Sequence, residues 1–176
     1  MARGLAGAQR DSPFWQGRDT SYASFRYQAW GRWPSAGPTE PFGTAEAYRQ
    51  AVSQMVGTGT LLDSGMVYFD ARLSEHYPTL KVRIADVCLH ADDAVLIAAL
   101  RRALVDTEAR QWRAGADLPR QRTEMLRLAA WRASRSGLDE AGDTAAVSDL
   151  LAAVLARGNG AAFQRSAYGG DGTWPR

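Results

Sequence analysis

Two stretches of the chain alternate between apolar and polar residues with the period of a half-buried β-strand. The apolar positions are Val67, Phe69, Ala71 and Leu73 in residues 66–73, and Leu80, Val82 and Ile84 in residues 79–86. Successive side chains of a strand point to opposite faces, so each stretch has one apolar face and one charged face. The connection 74–78 is short enough to fold the second strand back on the first. The pattern therefore predicts an antiparallel pair.

The charged residues of this pair lie on its polar face. Antiparallel pairing allows Asp70, Arg72, Lys81 and Arg83 to share one surface. Guanidinium and ammonium groups form charge-assisted hydrogen bonds, so this surface suits a phosphate or a substrate carboxylate. Antiparallel sheets also commonly turn one charged face to water. The residues alone leave both interpretations open, an anion site and a solvated face.

Other segments predict helices and one further strand. Residues 22–30 alternate imperfectly and indicate a strand, and Gly17 indicates a turn before it. Thr44 is a suitable cap for a helix that ends at Gly57. Asp92 or Asp93 opens a long helix to about residue 112, and residues 94–105, which are apolar nearly all round, predict burial of that part. Further helices are expected over residues 120–136, from Asp143 or Thr144, and over residues 161–168. Strands followed by helices predict an α+β fold.

Composition narrows the class of protein. A chain of 176 residues has the size of one domain, and a net charge of +2 without a block of like charge gives little support for nucleic-acid binding. The sequence contains neither an apolar run of membrane-spanning length nor a secretory signal, so we expect a cytoplasmic protein without a membrane partner. The single cysteine, Cys88, excludes an internal disulfide, and a buried inert thiol is favoured over a nucleophile.

Four ordered motifs resemble one enzyme family. They occupy residues 12–26, 32–38, 65–72 and 78–86. In this order they resemble the C-terminal half of the carboxylate–amine ligases, also called type 2 glutamate–cysteine ligases, of the actinobacterial kind. The resemblance implies an irregular segment over residues 1–13, half of a ligase catalytic domain over 14–168, and a loose tail over 169–176.

The resemblance also implies a fold and a reaction. The fold is part of a glutamine-synthetase-like antiparallel sheet, packed with C-terminal helices. The reaction joins a small-molecule carboxylate to an amine through an acyl phosphate, with ATP and Mg²⁺ as cofactors. It implies that Arg83 contacts the transferred phosphate as the catalytic residue, with Arg72 and Lys81 beside it at the nucleotide, because a phosphoryl group in transfer needs cations around its oxygens.

The substrate-binding segment implied by the resemblance comprises Asp19, Thr20, Tyr22, Ser24 and Arg26. Arg26 is expected to clamp a carboxylate and Ser24 to donate a hydrogen bond. Four of these residues also have a simpler interpretation: Arg26 as a surface charge, Asp19 and Thr20 as a turn, and Tyr22 as packing.

Three departures from the family pattern alter the expected activity. Lys81 stands where a glutamate, an expected Mg²⁺ ligand, is usual, so no metal ligand is predicted here; an ammonium group offers no lone pair to a cation. Ser21 stands where a glycine is usual. The N-terminal half is absent, so we expect the isolated chain to be inactive and to associate with itself or with a missing half. The alternative is a noncatalytic remnant that serves as a binding or assembly module.

Overall fold

The computed structural model describes residues 12–117 and 121–137. The predictions for residues 1–11, for the helices from Asp143 or Thr144 and over 161–168, and for the tail 169–176 lie outside the described residues. In chain order the elements are β1 (Phe14–Trp15), β2 (Arg18–Asp19), α1 (Phe25–Trp30), β3 (Ala36–Gly37), α2 (Ala45–Gly57), a 3-10 helix (Ser64–Met66), β4 (Tyr68–Phe69), β5 (Ala71–Leu73), β6 (Leu80–Val82), α3 (Ala91–Arg113) and α4 (Thr123–Ser136). Helices with short two-stranded sheets confirm the α+β prediction.

The described residues fall into two compact units. The first unit holds residues 12–29, 85–117 and 128–137, and the second holds residues 30–84 and 121–127. Each unit contains one of the two residue groups considered below as functional.

The first unit opens with a tight hairpin. Strands β1 and β2 pair antiparallel, with Trp15 opposite Arg18. The two residues between them, Gln16 and Gly17, have φ angles of 51° and 79°. Positive φ at both central positions is the signature of a type I′ turn, which matches the twist of paired strands. The turn predicted at Gly17 is confirmed.

Helix α1 replaces the strand predicted over residues 22–30. The Ser24 hydroxyl accepts a hydrogen bond from the backbone N–H of Tyr27 at 3.4 Å, which is the bond of a helix N-cap. The strand prediction is therefore wrong, because a local cap outweighs a weak alternation. The cap residue and the residue before it are held by the last turn of α4: the N–H of Ala23 donates to the carbonyl of Arg135 at 3.3 Å and that of Ser24 to the carbonyl of Ser134 at 2.9 Å.

Helix α3 is less buried than its composition predicts. Only Leu96 and Ile97 are buried in it, whereas Val95 and Val105 are 66% and 43% exposed. The helix begins one residue before Asp92, and Asp92 and Asp93 lie in its first turn, where negative charge is favourable. The expectation of a helix buried all round is wrong for the described structure.

In the second unit, the predicted first strand is divided between two sheets. Strand β4 pairs parallel with β3, and β5 pairs antiparallel with β6. Asp70 lies between them: its N–H donates to the carbonyl of Gly37 at 2.9 Å, and its carbonyl accepts from the N–H of Arg83 at 2.9 Å. One residue thus joins both ladders. The antiparallel pairing predicted for the two alternating stretches is confirmed.

The second unit is held by a small apolar core. Leu61, Val67 and Phe69 are buried in it. Partly buried residues pack around them, mostly from α2 and its approach: Phe42, Tyr48, Val52, Met55, Val56 and Met66. Helix α2 begins as predicted, because the Thr44 hydroxyl accepts from the N–H of Ala47 at 3.0 Å. The core therefore fixes α2 beside the strand that leads into β5.

Candidate functional site

The β5–β6 ladder brings the predicted cations together. Arg72 lies directly opposite Lys81. The bond from the Arg83 N–H to the Asp70 carbonyl continues this register by one further pair. Since directly opposed residues of an antiparallel pair lie on one face, Asp70, Arg72, Lys81 and Arg83 share a surface, as the alternation predicted. We refer to these four residues as the charged face.

Arg72 is the most constrained residue of the charged face. Its Nη1 donates to the carbonyl of Gly65 at 3.2 Å and to the carbonyl of Val67. Its Nε is buried and has no hydrogen-bond partner among the described residues. A buried donor without an acceptor costs about 1–3 kcal/mol. The guanidinium is thus anchored through one nitrogen, while its buried Nε is left without an acceptor among the described residues.

Lys81 and Arg83 differ from Arg72 in exposure. Both are exposed to solvent, whereas Arg72 is half-buried. An exposed cation on a strand suits a ligand that approaches from solvent, and it equally suits a solvated face. The buried Nε of Arg72 is the feature that distinguishes the charged face from an ordinary hydrated one.

A cleft of about 360 Å³ lies beside β5 and β6 in the second unit. Its lining includes Phe42, Tyr48, Leu73 and Leu80, together with the start of α2. Burial raises the pKa of the Tyr48 hydroxyl, while a hydrogen bond with the Leu73 backbone and the charge of Arg72 act in the opposite direction. The cleft wall therefore combines apolar side chains with the charged residues Arg72 and Glu40, and burial favours the neutral form of the Tyr48 phenol.

The first unit contains a second polar cluster, centred on Asp86. The Nε of Arg26 donates to Oδ1 of Asp86 at 2.5 Å, and Nη2 donates to the carbonyl of Ala85 at 2.8 Å. The hydroxyl of Ser12 donates to Oδ2 of Asp86 at 3.0 Å. The Asp86 side chain is 3% exposed and the Arg26 side chain is 39% exposed. Both carboxylate oxygens are satisfied, so the buried charge is compensated.

The remaining predicted substrate residues surround this cluster in the same unit. Ser24 is buried, and its hydroxyl lies 3.4 Å from that of Ser12. The Thr20 hydroxyl donates to the Pro13 carbonyl at 2.6 Å. Asp19 Oδ1 accepts from the N–H of Ser21 at 2.8 Å, which is the bond of an Asx turn.

The Tyr22 ring packs under a cation in the first unit. The guanidinium carbon of Arg135 lies 5.1 Å from its ring centre, and the ring of Phe25 lies 5.9 Å away. This is the geometry of a cation–π contact. Tyr22 therefore helps to hold the segment 19–26 against α4.

Ser21 adopts the backbone conformation that a glycine favours. Its φ angle is 61°, in the left-handed region. Glycine, which the resemblance implies at this position, enters that region without a Cβ penalty. Ser21 therefore occupies a left-handed turn position with a side chain that opposes it.

The structure brings some of the predicted site residues together and adds partners that the sequence did not indicate. Arg72, Lys81 and Arg83 meet in the second unit, and Ser24 and Arg26 meet in the first. Asp86 and Ser12 were not among the predicted site residues, although each is the terminal residue of one of the four motifs. A charged residue at the end of a motif was the available signal for Asp86. No comparable signal marked Ser74, whose hydroxyl is buried and has no hydrogen-bond partner among the described residues.

The described residues do not by themselves fit a divalent metal ion. Within 12–117 and 121–137, no group of three or more histidine, cysteine, aspartate or glutamate residues is placed to hold one. A hard cation such as Mg²⁺ prefers several oxygen ligands. The charged face, with three cations and one carboxylate, suits an anion rather than a metal ion. None of the described helices is long and apolar enough to cross a membrane.

Comparison with known proteins identifies relatives over most of the chain. A family model described as "Glutamate-cysteine ligase family 2 (GCS2)" matches residues 8–171. A protein of Streptomyces coelicolor named "Putative glutamate--cysteine ligase 2" is 63% identical over 134 residues, which cover 76% of this chain and 37% of that protein.

Two further relatives cover more of the chain. A Streptomyces avermitilis protein named "Putative glutamate--cysteine ligase 2-1" is 48% identical, covering 92% of this chain and 53% of its own length. A Frankia alni protein named "Putative glutamate--cysteine ligase 2-2" is 47% identical, covering 93% of this chain and 51% of its own length. The chain therefore spans about half, or less, of the length of these curated relatives.

Proposed function

Since the chain belongs to glutamate-cysteine ligase family 2, we propose that it contributes the phosphate- and carboxylate-contacting surfaces of an ATP-dependent ligase. The reaction joins a small-molecule carboxylate, such as that of glutamate, to an amine. The carboxylate is first phosphorylated by ATP, and the amine then attacks the acyl phosphate and displaces phosphate. The names of the relatives support glutamate and cysteine as the first substrates to test.

The observation that supports this proposal most directly is the register of β5 and β6. It sets Arg72 opposite Lys81 and continues to Arg83 on the same face. Little covalent work falls to the protein in phosphoryl transfer, so catalysis depends on positioning and on neutralising charge on the phosphate oxygens. Arg83 and Lys81, both exposed, are the residues we assign to the nucleotide phosphates. Arg72, anchored by backbone carbonyls, supplies a fixed donor beside them.

Arg26 is the residue we assign to a substrate carboxylate. Asp86 and the Ala85 carbonyl hold its Nε and Nη2, while Nη1 has no hydrogen-bond partner among the described residues. Part of the side chain is exposed. A guanidinium held on one edge keeps its orientation, so binding loses less side-chain entropy than it would for a freely rotating arginine.

The metal-dependent part of the reaction needs oxygen ligands that the described residues do not gather. Bound Mg²⁺ would neutralise charge on the nucleotide phosphates. We therefore expect the purified 176-residue chain to bind ATP without releasing ADP. The test is isothermal titration with ATP, with and without Mg²⁺, beside a coupled assay for glutamate- and amine-dependent ADP release. ADP release by the chain alone would overturn the expected inactivity, and failure to bind ATP would overturn the assignment of the charged face.

Lys81 favours a second candidate, a noncatalytic binding or assembly module. An ammonium group repels Mg²⁺ at a position where the family usually carries a carboxylate. Lys81→Glu separates the two candidates, with Lys81→Gln as the matched control for loss of the cation. Under the ligase proposal, Glu at this position makes ATP binding more dependent on Mg²⁺ than Gln does. If ATP binds to none of the three forms, the noncatalytic module is the better description.

A further inference from the structure

Two buried hydrogen-bond donors lie two residues apart on β5 and its extension, and the chain leaves both unused. The Nε of Arg72 and the Oγ of Ser74 are buried without hydrogen-bond partners among the described residues. Buried polar side-chain atoms in folded proteins nearly always have a partner. Two exceptions on one strand therefore call for a common explanation.

The register places both donors on the same side of the sheet. The N–H of Ser74 donates to the carbonyl of Thr79 at 2.9 Å, so the ladder that pairs Arg72 with Lys81 continues through Ser74. Side chains at positions i and i+2 of a strand lie on one face, about 6.6 Å apart along it. Ser74 thus extends the charged face by one position and adds a neutral donor beside Arg72.

The backbone holds Arg72 in place without satisfying Nε. Its Nη1 is taken by the carbonyls of Gly65 and Val67. The neighbouring Glu75 accepts a hydrogen bond from the Ser64 hydroxyl. Lys81 and Arg83 add positive charge on the same face, against the single carboxylate of Asp70. The surroundings of the two donors are therefore suited to an acceptor that carries negative charge.

We infer that Arg72 Nε and Ser74 Oγ together form a subsite for one oxyanion group, a carboxylate or a phosphate. Such a group presents two or more oxygens and can accept from both donors at once. The inference deepens the proposed function, on which it rests for the identity of the ligand: it assigns Ser74 as a binding residue beside the nucleotide- and substrate-facing cations. It requires no metal ion and no step of the reaction.

The experiment separates oxyanion binding from a structural role through two readouts of opposite direction. Ser74→Ala removes a buried hydroxyl that has no partner, so the ligand-free chain is expected to unfold at the same or a higher urea concentration. The same change removes one donor to the charged ligand, so affinity for the oxyanion is expected to fall roughly 10–100-fold. A residue with only a structural role would not lose ligand affinity while keeping stability.

The probes are inorganic phosphate and glutamate, titrated separately into the full 176-residue chain and followed by melting temperature and calorimetry. Loss of phosphate affinity alone identifies a nucleotide-phosphate subsite, and loss of glutamate affinity alone identifies a carboxylate subsite; either supports the inference. Ser74→Thr, which keeps a hydroxyl, is expected to restore binding. Ser53→Ala removes an exposed serine hydroxyl on α2 and serves as the matched control.

Two results would overturn the inference. Unchanged affinity for both probes in Ser74→Ala would mean that the two donors bind water only. If neither phosphate nor glutamate binds the unmodified chain, no subsite exists. ATP titration of the same variants keeps the proposals distinct: ATP binding with an unaffected Ser74→Ala overturns this subsite alone, whereas phosphate or glutamate binding without ATP binding overturns the nucleotide role alone.

Discussion

Arg26 donates its Nε–H to Oδ1 of Asp86 at 2.5 Å and so joins two sequence motifs that are 60 residues apart in the chain. The carboxylate is 3% exposed and also accepts a hydrogen bond from Ser12, so the ion pair links separate segments inside the first unit and stabilises it. The same bond fixes the orientation of the guanidinium that we assign to a substrate carboxylate. Stability and substrate orientation therefore depend on one buried acid.

Replacing Asp86 with asparagine is expected to destabilise the chain. The amide keeps the shape but loses the charge and converts one of two acceptors into a donor, which opposes Ser12 or Arg26. Hydrogen bonds to charged groups contribute about 1.5–3 kcal/mol, and we expect a loss of free energy of unfolding of about that size in urea titration.

Glu46→Gln is the matched control for the Asp86 substitution. Glu46 pairs with Arg49 at 3.3 Å, but both side chains are well exposed, at 83% and 66%. Exposed pairs contribute about 0–1 kcal/mol, so the control should change little. If the two substitutions changed the free energy of unfolding equally, Asp86 would not have the stabilising role described above.

Lys81→Glu is expected to stabilise the β5–β6 pair. In the native chain Lys81 lies directly opposite Arg72, and like charges in that position are destabilising. A glutamate there creates an opposite-charge pair, with an expected gain of about 0.2–1 kcal/mol that shrinks as salt rises. Urea titration at low and high NaCl measures both quantities. Lys81→Gln only removes the repulsion, so its stability should lie between those of the native chain and Lys81→Glu. A Lys81→Glu chain less stable than the native one would count against the pairing of Arg72 with Lys81.

Ser21→Gly and Gly17→Ala are expected to change stability in opposite directions. Ser21 has a φ of 61° and Gly17 a φ of 79°. A left-handed residue with a Cβ costs roughly 1–2 kcal/mol, while the extra freedom of glycine in the unfolded chain offsets about 0.5–1 kcal/mol of that. Ser21→Gly should therefore leave stability equal or raise it by up to about 1.5 kcal/mol.

Gly17→Ala measures the backbone cost alone. A Cβ on Gly17 would meet no atom within 4 Å, so the space is open and only the φ angle opposes the substitution. We expect a loss of about 1 kcal/mol in thermal or urea unfolding. A Gly17→Ala variant as stable as the native chain would mean that the hairpin turn relaxes to another geometry.

The effect of Tyr48→Phe is expected to depend on pH. Burial raises the pKa of the Tyr48 hydroxyl above its ordinary value of 10.0, so the fold favours the neutral phenol. That contribution is complete below pH 10 and is lost as pH rises through the folded-state pKa. At neutral pH the variant loses the hydrogen bond with the Leu73 backbone, at a cost of about 1 kcal/mol.

The measurement compares native chain and Tyr48→Phe by urea titration between pH 8 and pH 11. The difference in stability should shrink above pH 10. Only the native chain has the partly buried Tyr48 phenol, whose ionisation is opposed in the folded state and free in the unfolded state. Subtracting the variant cancels the titration of the other tyrosines and of lysine. A difference that stays constant across this range would show that the Tyr48 hydroxyl is solvated.

The sequence predicted elements whose signals are local. The N-cap at Thr44 and the alternation through Arg72 and Lys81 are each determined within a few residues, and both were correct. The strand predicted over residues 22–30 failed because its alternation was weak against the local cap at Ser24, and because the backbone bonds of residues 23 and 24 to the end of α4 come from a distant segment. The division of residues 66–73 between two sheets was also beyond the pattern, since a period of two does not reveal which neighbour each half will meet.

The site was predictable as a set of charges but not as a set of contacts. The shared face of Arg72, Lys81 and Arg83 follows from the alternation of side chains along each strand alone. The partners of Arg26, and the unused donors on Arg72 and Ser74, depend on which backbone oxygens fall nearby. Those distances are set by the tertiary fold, and no spacing in the sequence encodes them.

Asp70 gives the second unit a property that neither of its small sheets would have alone. Its amide proton belongs to one ladder and its carbonyl oxygen to the other, so neither ladder can separate without disturbing the backbone at Asp70. The amide protons of Asp70 and Arg83 should consequently exchange with deuterated solvent at similar rates, as members of one cooperative opening event. The two short ladders, of two and three residue pairs, are therefore expected to open together as one cooperative element.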